Sequence, residues 1–310
     1  MESAFGAAFF FAWSITCARR SSFHHGADLA NLARITIAFL AIGTVILGTH
    51  QPLLVPGWPW LLLGGAIGLG VGDIASFHSL TRIGAGLALL VMQTLAAPFA
   101  LLLEYLVLGH APSPAQMAAA AVILVGVATA LGSRPVGDPR YWRAGIALSI
   151  LAALGQACGA VSTPMAKAAC VAAQVEVPDG WTQGFLRILG GLPIVLAFVL
   201  WNTRKRGLLA QIRRPYDGWK ARGWALMNGV SGPGIGVACY QWALTTQPAA
   251  VVLSIVAMSP LLALLFQWVV EGQRPSTRVW AGGGIAVTGV VLLRNPNIGV
   301  SFLSHFNSAG

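Results

Sequence analysis

The sequence predicts an all-α integral membrane protein of ten transmembrane helices, arranged as two inverted five-helix repeats. Three observations carry that expectation. Charged residues make up only 9% of the chain and the mean hydropathy is +0.73, whereas soluble domains carry about 25% charged residues, so most of the solvent around this chain is lipid. A window of about 19 residues finds ten apolar runs. The chain also states one pattern twice. An apolar run with Pro98 is followed by Gly109, Pro112-Ser113 and a run carrying Gly126-Val127. A second apolar run with Pro260 is followed by Gly272, Pro275-Ser276 and a run carrying Gly289-Val290. From Gly109 to Gly272 is 163 residues, and Pro112, Ser113, Gly126 and Val127 recur at that offset. A fixed long offset is the mark of an internal duplication.

The runs fall at roughly 3–18, 28–48, 58–80, 85–108, 115–132, 143–164, 181–201, 223–243, 248–270 and 277–293. The first comes after Met1-Glu2-Ser3 without a basic leader, which favours a retained helix over a cleaved signal. It is short for a span, and Arg19 and Arg20 at its end would snorkel. The third carries Gly64, Gly65, Gly68, Gly70 and Gly72, and the eighth carries Gly229, Gly232, Pro233, Gly234 and Gly236. In the second, Leu32-Ala33-Arg34-Ile35 echoes Phe185-Leu186-Arg187-Ile188 in the seventh. Each repeat therefore holds five spans, 4–132 and 143–294. An odd number of spans turns the second copy upside down, an arrangement typical of secondary transporters with a midplane site between the halves.

Lys and Arg set the orientation. Of 19, the loops after spans 1, 3, 5, 7 and 9 hold 15, the other side holds only Lys167 and Arg294, and Arg34 and Arg187 lie inside spans. The basic side is cytoplasmic by the positive-inside rule, which puts both termini outside, in a multi-pass protein of the cell inner membrane. Topology thus accounts for the net charge of +10 without a nucleic-acid partner. Cys17, Cys158, Cys170 and Cys239 show neither CxxC spacing nor a disulfide framework. No metal and no cofactor are called for.

Gly72-Asp73, Phe77, Leu80, Gly84, Pro98, Gly109, Gln116 and Gly126-Val127 resemble one EamA domain of the drug/metabolite transporter superfamily. Pro260, Gly272, Pro275-Ser276, Trp280 and Gly289-Val290 resemble a second. The resemblance implies a ten-helix, two-repeat carrier that exports small metabolites, such as amino acids or related compounds, by alternating access. Sugar-phosphate or nucleotide-sugar carriage is the alternative it allows. It also implies a site bounded by spans 1, 3, 4, 6, 8 and 9. Two departures stand out. His110 and Gln273 occupy the position where the family usually has Glu after the turn glycine, and the family is often drawn with cytoplasmic termini.

Ionisable groups inside a bilayer are costly and so are candidates for function. Arg34 and Asp73 lie on adjacent spans, each about 6 Å from the midplane on the cytoplasmic side at 1.5 Å per residue, so they are expected to form an intramembrane ion pair, structural or functional. Arg187, the counterpart of Arg34, finds no acid on span 8 around Ile235-Gly236. It is expected to bond backbone carbonyls, Gln183 or Gln156, or else to hold an anionic group of the substrate or pair with Glu104. Trp13, Gln93, Gln156, Tyr240 and Gln241 are amphipathic or polar inside spans and should face the interior. With Asp73 and Arg187 they are the substrate-cavity candidates. A small-molecule substrate, the lipid bilayer and a coupling ion such as H+ are the expected partners.

Gly70-Val71-Gly72-Asp73 also reads GxGD, a motif of intramembrane aspartyl proteases. A shared proton needs a second carboxylate close by, and Asp28 and Asp179 sit only at span edges. No HExxH, GxSxG or Walker loop occurs, so no catalytic residue is assigned and an enzyme is not expected. A channel is disfavoured by the lack of a charged ring.

Overall fold

The computed structural model describes residues 2–49, 52–109, 111–132, 139–206, 218–237, 239–240, 243, 255–256, 258–272 and 274–294. These residues are helical, with short turns between helices. The elements are α1 (Glu2–His25), α2 (Ala27–Thr49), α3 (Trp58–Gly65), π1 (Ala66–Gly72), α4 (Asp73–Ile83), α5 (Ala85–Leu108), α6 (Pro114–Leu131), α7 (Pro139–Ala172), α8 (Gly180–Arg206), α9 (Gly218–Gly229), π2 (Val230–Gly236), α10 (Ser259–Glu271) and α11 (Thr277–Arg294). Among the described residues six helices are long and apolar enough to cross a membrane, with α3, π1 and α4 counted as one, and α10 and α11 are shorter apolar helices. The protein is a multi-pass membrane protein.

The first helix is longer than its apolar run. It continues through Arg19 and Arg20 to His25, and a buried stripe of Ala4, Ala7, Ala8, Ala12, Cys17 and Ala18 fixes it against its neighbours. Small side chains permit that close approach.

The repeated Gly…Pro-Ser pattern has one physical meaning in both copies. Gly109 and Gly272 end α5 and α10 in the left-handed region, at φ +70° and +69°, where a glycine carries no Cβ penalty. Ser113 Oγ then accepts the Gln116 N–H while Gln116 Oε1 accepts the Ser113 N–H, which is a capping box. Ser276 Oγ accepts the Val279 N–H at the same place in the second copy. The repeated prolines differ: Pro98 lies inside α5, whereas Pro260 lies in the first turn of α10, where its missing N–H removes no helical bond.

Helices α6 and α11 pack backbone to backbone in a reciprocal way. A Cβ on Gly126 would lie 2.4 Å from Ala286 N, and one on Gly289 would lie 2.7 Å from the Ile123 side chain and 2.8 Å from its N. Shifted by the repeat offset of 163, Gly126 becomes Gly289 and Ile123 becomes Ala286. Each copy thus offers the other the same two positions, as in a two-fold interface.

Candidate functional site

The two glycine-rich stretches both leave the α-helix. In π1 the Asp73 N–H donates to Gly68 O, five residues back, and in π2 the Val237 N–H donates to Gly232 O, also five back. Such turns are rare in helices and are found mostly at functional sites. Glycines allow them because no side chain crowds the widened turn, and because a neighbour fills the space. A Cβ on Gly65 would lie 2.0 Å from Arg187 O, and one on Gly68 would lie 3.2 Å from Gly155 O. The π1 segment therefore lies on α7 and α8. In return π2 lies on α1 and α2, with a Gly232 Cβ 2.2 Å from Ser14 Oγ and a Gly229 Cβ 3.4 Å from Arg34 O. Gly65 meets the backbone of Arg187, and Gly229 meets the backbone of Arg34.

Charge converges at the end of π1. The Asp73 carboxylate, buried at the start of α4, bonds Arg34 Nη1 from α2. The Arg34 guanidinium also stands 5.9 Å from the centre of the Phe77 ring, a cation–π arrangement. Asp73 lies in the field of Arg187 as well, and Arg187 lies in that of Tyr240. The sequence puts Arg187 toward the outer face without an acid, whereas its charge acts on Asp73 across the helix boundary. Gln183 does not serve Arg187: its amide donates to Pro178 O at 2.8 Å. Among the described residues Arg187 forms no ion pair, with Glu104 or any other acid, and its Nε is buried without a hydrogen-bond partner.

The other cavity candidates separate into two groups. Trp13 on α1 packs edge-on against Phe266 on α10 at 5.4 Å and tilts against Trp224 on α9 at 6.1 Å. Tyr240 tilts against Phe11 at 6.3 Å. Gln93 on α5 and Gln156 on α7 are half-buried and form no hydrogen bond to a described residue. Gln241, like His110 and Gln273, lies outside the described residues. A cleft of about 240 Å³ opens elsewhere, between α3, α7 and the segment before α8, lined by Leu61, Thr163, Ala166, Lys167, Cys170 and Gln183. None of the described candidates lines it.

Two polar clusters pair residues that the sequence pattern does not bring together. His78 Nε2 lies 2.7 Å from Asp28 Oδ1, and Asn202 donates to the other Asp28 oxygen, joining α4, α2 and α8. At the ends of α1 and α10, Arg19 Nη1 lies 2.7 Å from Glu271 Oε2, and Arg20 donates to Val270 O. Gln267 Oε1 there accepts the Gly86 N–H at 2.7 Å, so this cluster also holds the turn into α5. His78–Asp28 is separated by 50 residues in the chain, and no local pattern announces it.

Helices long enough to span, broken at glycines and carrying charge inside, define a multi-pass membrane protein. The chain belongs to the EamA-like transporter family, which it matches over residues 3–132 and 144–295. It is also similar to a UPF0060 membrane protein of Bordetella petrii, 36% identical over 62 residues, which is 19% of this chain and 56% of that one. The match thus spans little more than half of that relative's length. The fold is similar to that of a crystal structure with a TM-score of 0.59 and 19% identity, covering 94% of this chain and 96% of the other.

Proposed function

We propose that the chain is a secondary carrier of ten spans in two inverted repeats, 4–132 and 143–294, which exports small metabolites such as amino acids or related compounds by alternating access. The observation that carries this reading is reciprocity. The π1 segment packs on α7 and α8 while π2 packs on α1 and α2, and Gly126–Ala286 mirrors Gly289–Ile123 at the repeat offset. Paired interruptions in corresponding spans are the strongest pointer to a carrier's site. The site is bounded by the broken spans and uses Trp13, Asp73, Gln93, Gln156, Arg187, Tyr240 and Gln241, with Arg34 holding Asp73. Coupling runs through an ion such as H+. Sugar-phosphate or nucleotide-sugar carriage fits less well, because a phosphate monoester carries about two negative charges and Arg187 supplies one positive charge outside an ion pair.

Purified protein in liposomes tests the class. A carrier gives saturable uptake and counterflow of a preloaded metabolite. Unsaturable flux is a channel's behaviour, and cleavage of a transmembrane peptide would make the chain a protease. Orientation is tested separately. A reporter active only in the cytoplasm, fused after Gly310, stays silent if both termini are outside, and a strong signal reverses the topology.

A further inference from the structure

Two intramembrane guanidinium groups, those of Arg34 and Arg187, share one carboxylate, Asp73. Arg34 is satisfied by direct contact with it. Arg187 is not in contact with it, and its Nε is buried without a partner. A guanidinium offers five N–H donors and no acceptor, and a buried charge without hydrogen bonds is strongly disfavoured. At least one positive charge is therefore left over inside the membrane.

The surroundings of Arg187 keep other side chains away. A Cβ on Gly159 would lie 2.4 Å from Arg187 Nη2, and one on Gly68 would lie 3.8 Å from it. Glycines from α7 and π1 thus hold a notch around the guanidinium that any larger residue at Gly159 would fill. Tyr240, across from them, is the other polar group in its field. No acid of the described chain forms an ion pair in this notch, and Asp28, Asp73 and Glu271 are all engaged in ion pairs elsewhere.

We propose that the notch formed by Arg187, Gly68, Gly159 and Tyr240 binds the carboxylate of the transported substrate, so that the cargo is a small organic monoanion. The proposal rests on the carrier reading above and narrows its cargo from amino acids and related compounds to those related compounds that carry one carboxylate and no ammonium. A carboxylate matches the planar fork of an arginine with two parallel hydrogen bonds. A single negative charge also matches the excess, which a dianion would overshoot. Asp73 then acts as the resident counter-charge. It holds Arg34 permanently and influences Arg187 only at a distance, leaving the Arg187 donors open for an arriving carboxylate.

The test measures thermal unfolding of the full chain in detergent with acetate, lactate, benzoate and N-acetyl-L-phenylalanine, each a monoanion at neutral pH, beside its neutral primary amide. At least one acid raises Tm where its amide does not. R187Q weakens that response by about tenfold or more, the expectation for losing a charge-assisted hydrogen bond, and R187K retains part of it. If R187Q does not fold, the comparison of acid and amide in the native chain decides. Equal response to acid and amide, no response to any acid, an undiminished response in R187Q, or preference for glycerol phosphate over every carboxylate each overturns the proposal. Liposome counterflow separates the two readings. Saturable exchange of an amide but not its acid removes the anion site and leaves the carrier. Unsaturable leak of every solute removes the carrier, while acid binding that depends on Arg187 would still establish the site.

Discussion

The two broken spans use one backbone device for different ends. Segments π1 and π2 are each seven residues long and each closes on a carbonyl five residues back. The first delivers an acid at its exit, Asp73, which bonds Arg34. The second delivers Val237 there, and its neighbours are aromatic and hydroxyl side chains, Phe11 and Ser14. The exit of one widened turn therefore supplies charge, and the exit of the other supplies surface. Two spans can keep one backbone device while their chemistry differs, because the hydrogen bonds of the widened turn are made by the backbone and not by the side chain at its exit.

The two halves differ most at Asp73. Asp73→Asn leaves the Arg34 guanidinium buried without its counter-charge, which costs about 3–5 kcal/mol. Combining it with Arg34→Gln returns part of that stability, measured by denaturant or thermal unfolding in detergent. The return is incomplete because Arg187 also loses the field of Asp73. Additive losses in the double variant would mean that the two side chains are not coupled.

A smaller effect distinguishes the two spans by packing. Gly65→Ala drives a methyl to 2.0 Å from the Arg187 carbonyl, and overpacking of this kind costs about 1–3 kcal/mol. Among the described residues Gly234→Ala meets nothing nearer than 3.7 Å, the Gly229 carbonyl of its own span, so it is neutral or stabilises by up to about 1 kcal/mol through helix propensity. The same substitution thus has opposite signs in the two broken spans. Matching losses at both positions would show that the widened turns themselves, rather than their neighbours, reject a side chain.

Much of this was legible from residues alone. Matching depth and opposite charge on adjacent spans put Arg34 with Asp73, and the repeated Gly…Pro-Ser marked a helix stop and start. The reach of α1 to His25 was not legible, because its buried stripe is mostly alanine and its end is basic. Arg187 was legible only in part. The sequence puts it toward the outer face, but depth counted along one helix says nothing about where a long side chain extends, nor about a neighbouring span whose turn is widened. The clusters around Trp13 and around Asp28 join helices far apart in the chain, and pairings of that kind leave no periodic trace.

The widened turns also set how these spans respond to a positional scan. Successive residues of an α-helix advance about 100° around the axis, and a turn that closes one residue later carries everything beyond it out of step. Residues before Ala66 and after Gly72 thus obey two different phases of one helical wheel. A substitution or labelling scan through 58–83 will show a sensitive stripe that jumps sideways near Gly70, and a second scan will show the same jump near Gly234. A single wheel drawn across either span would mistake that jump for noise.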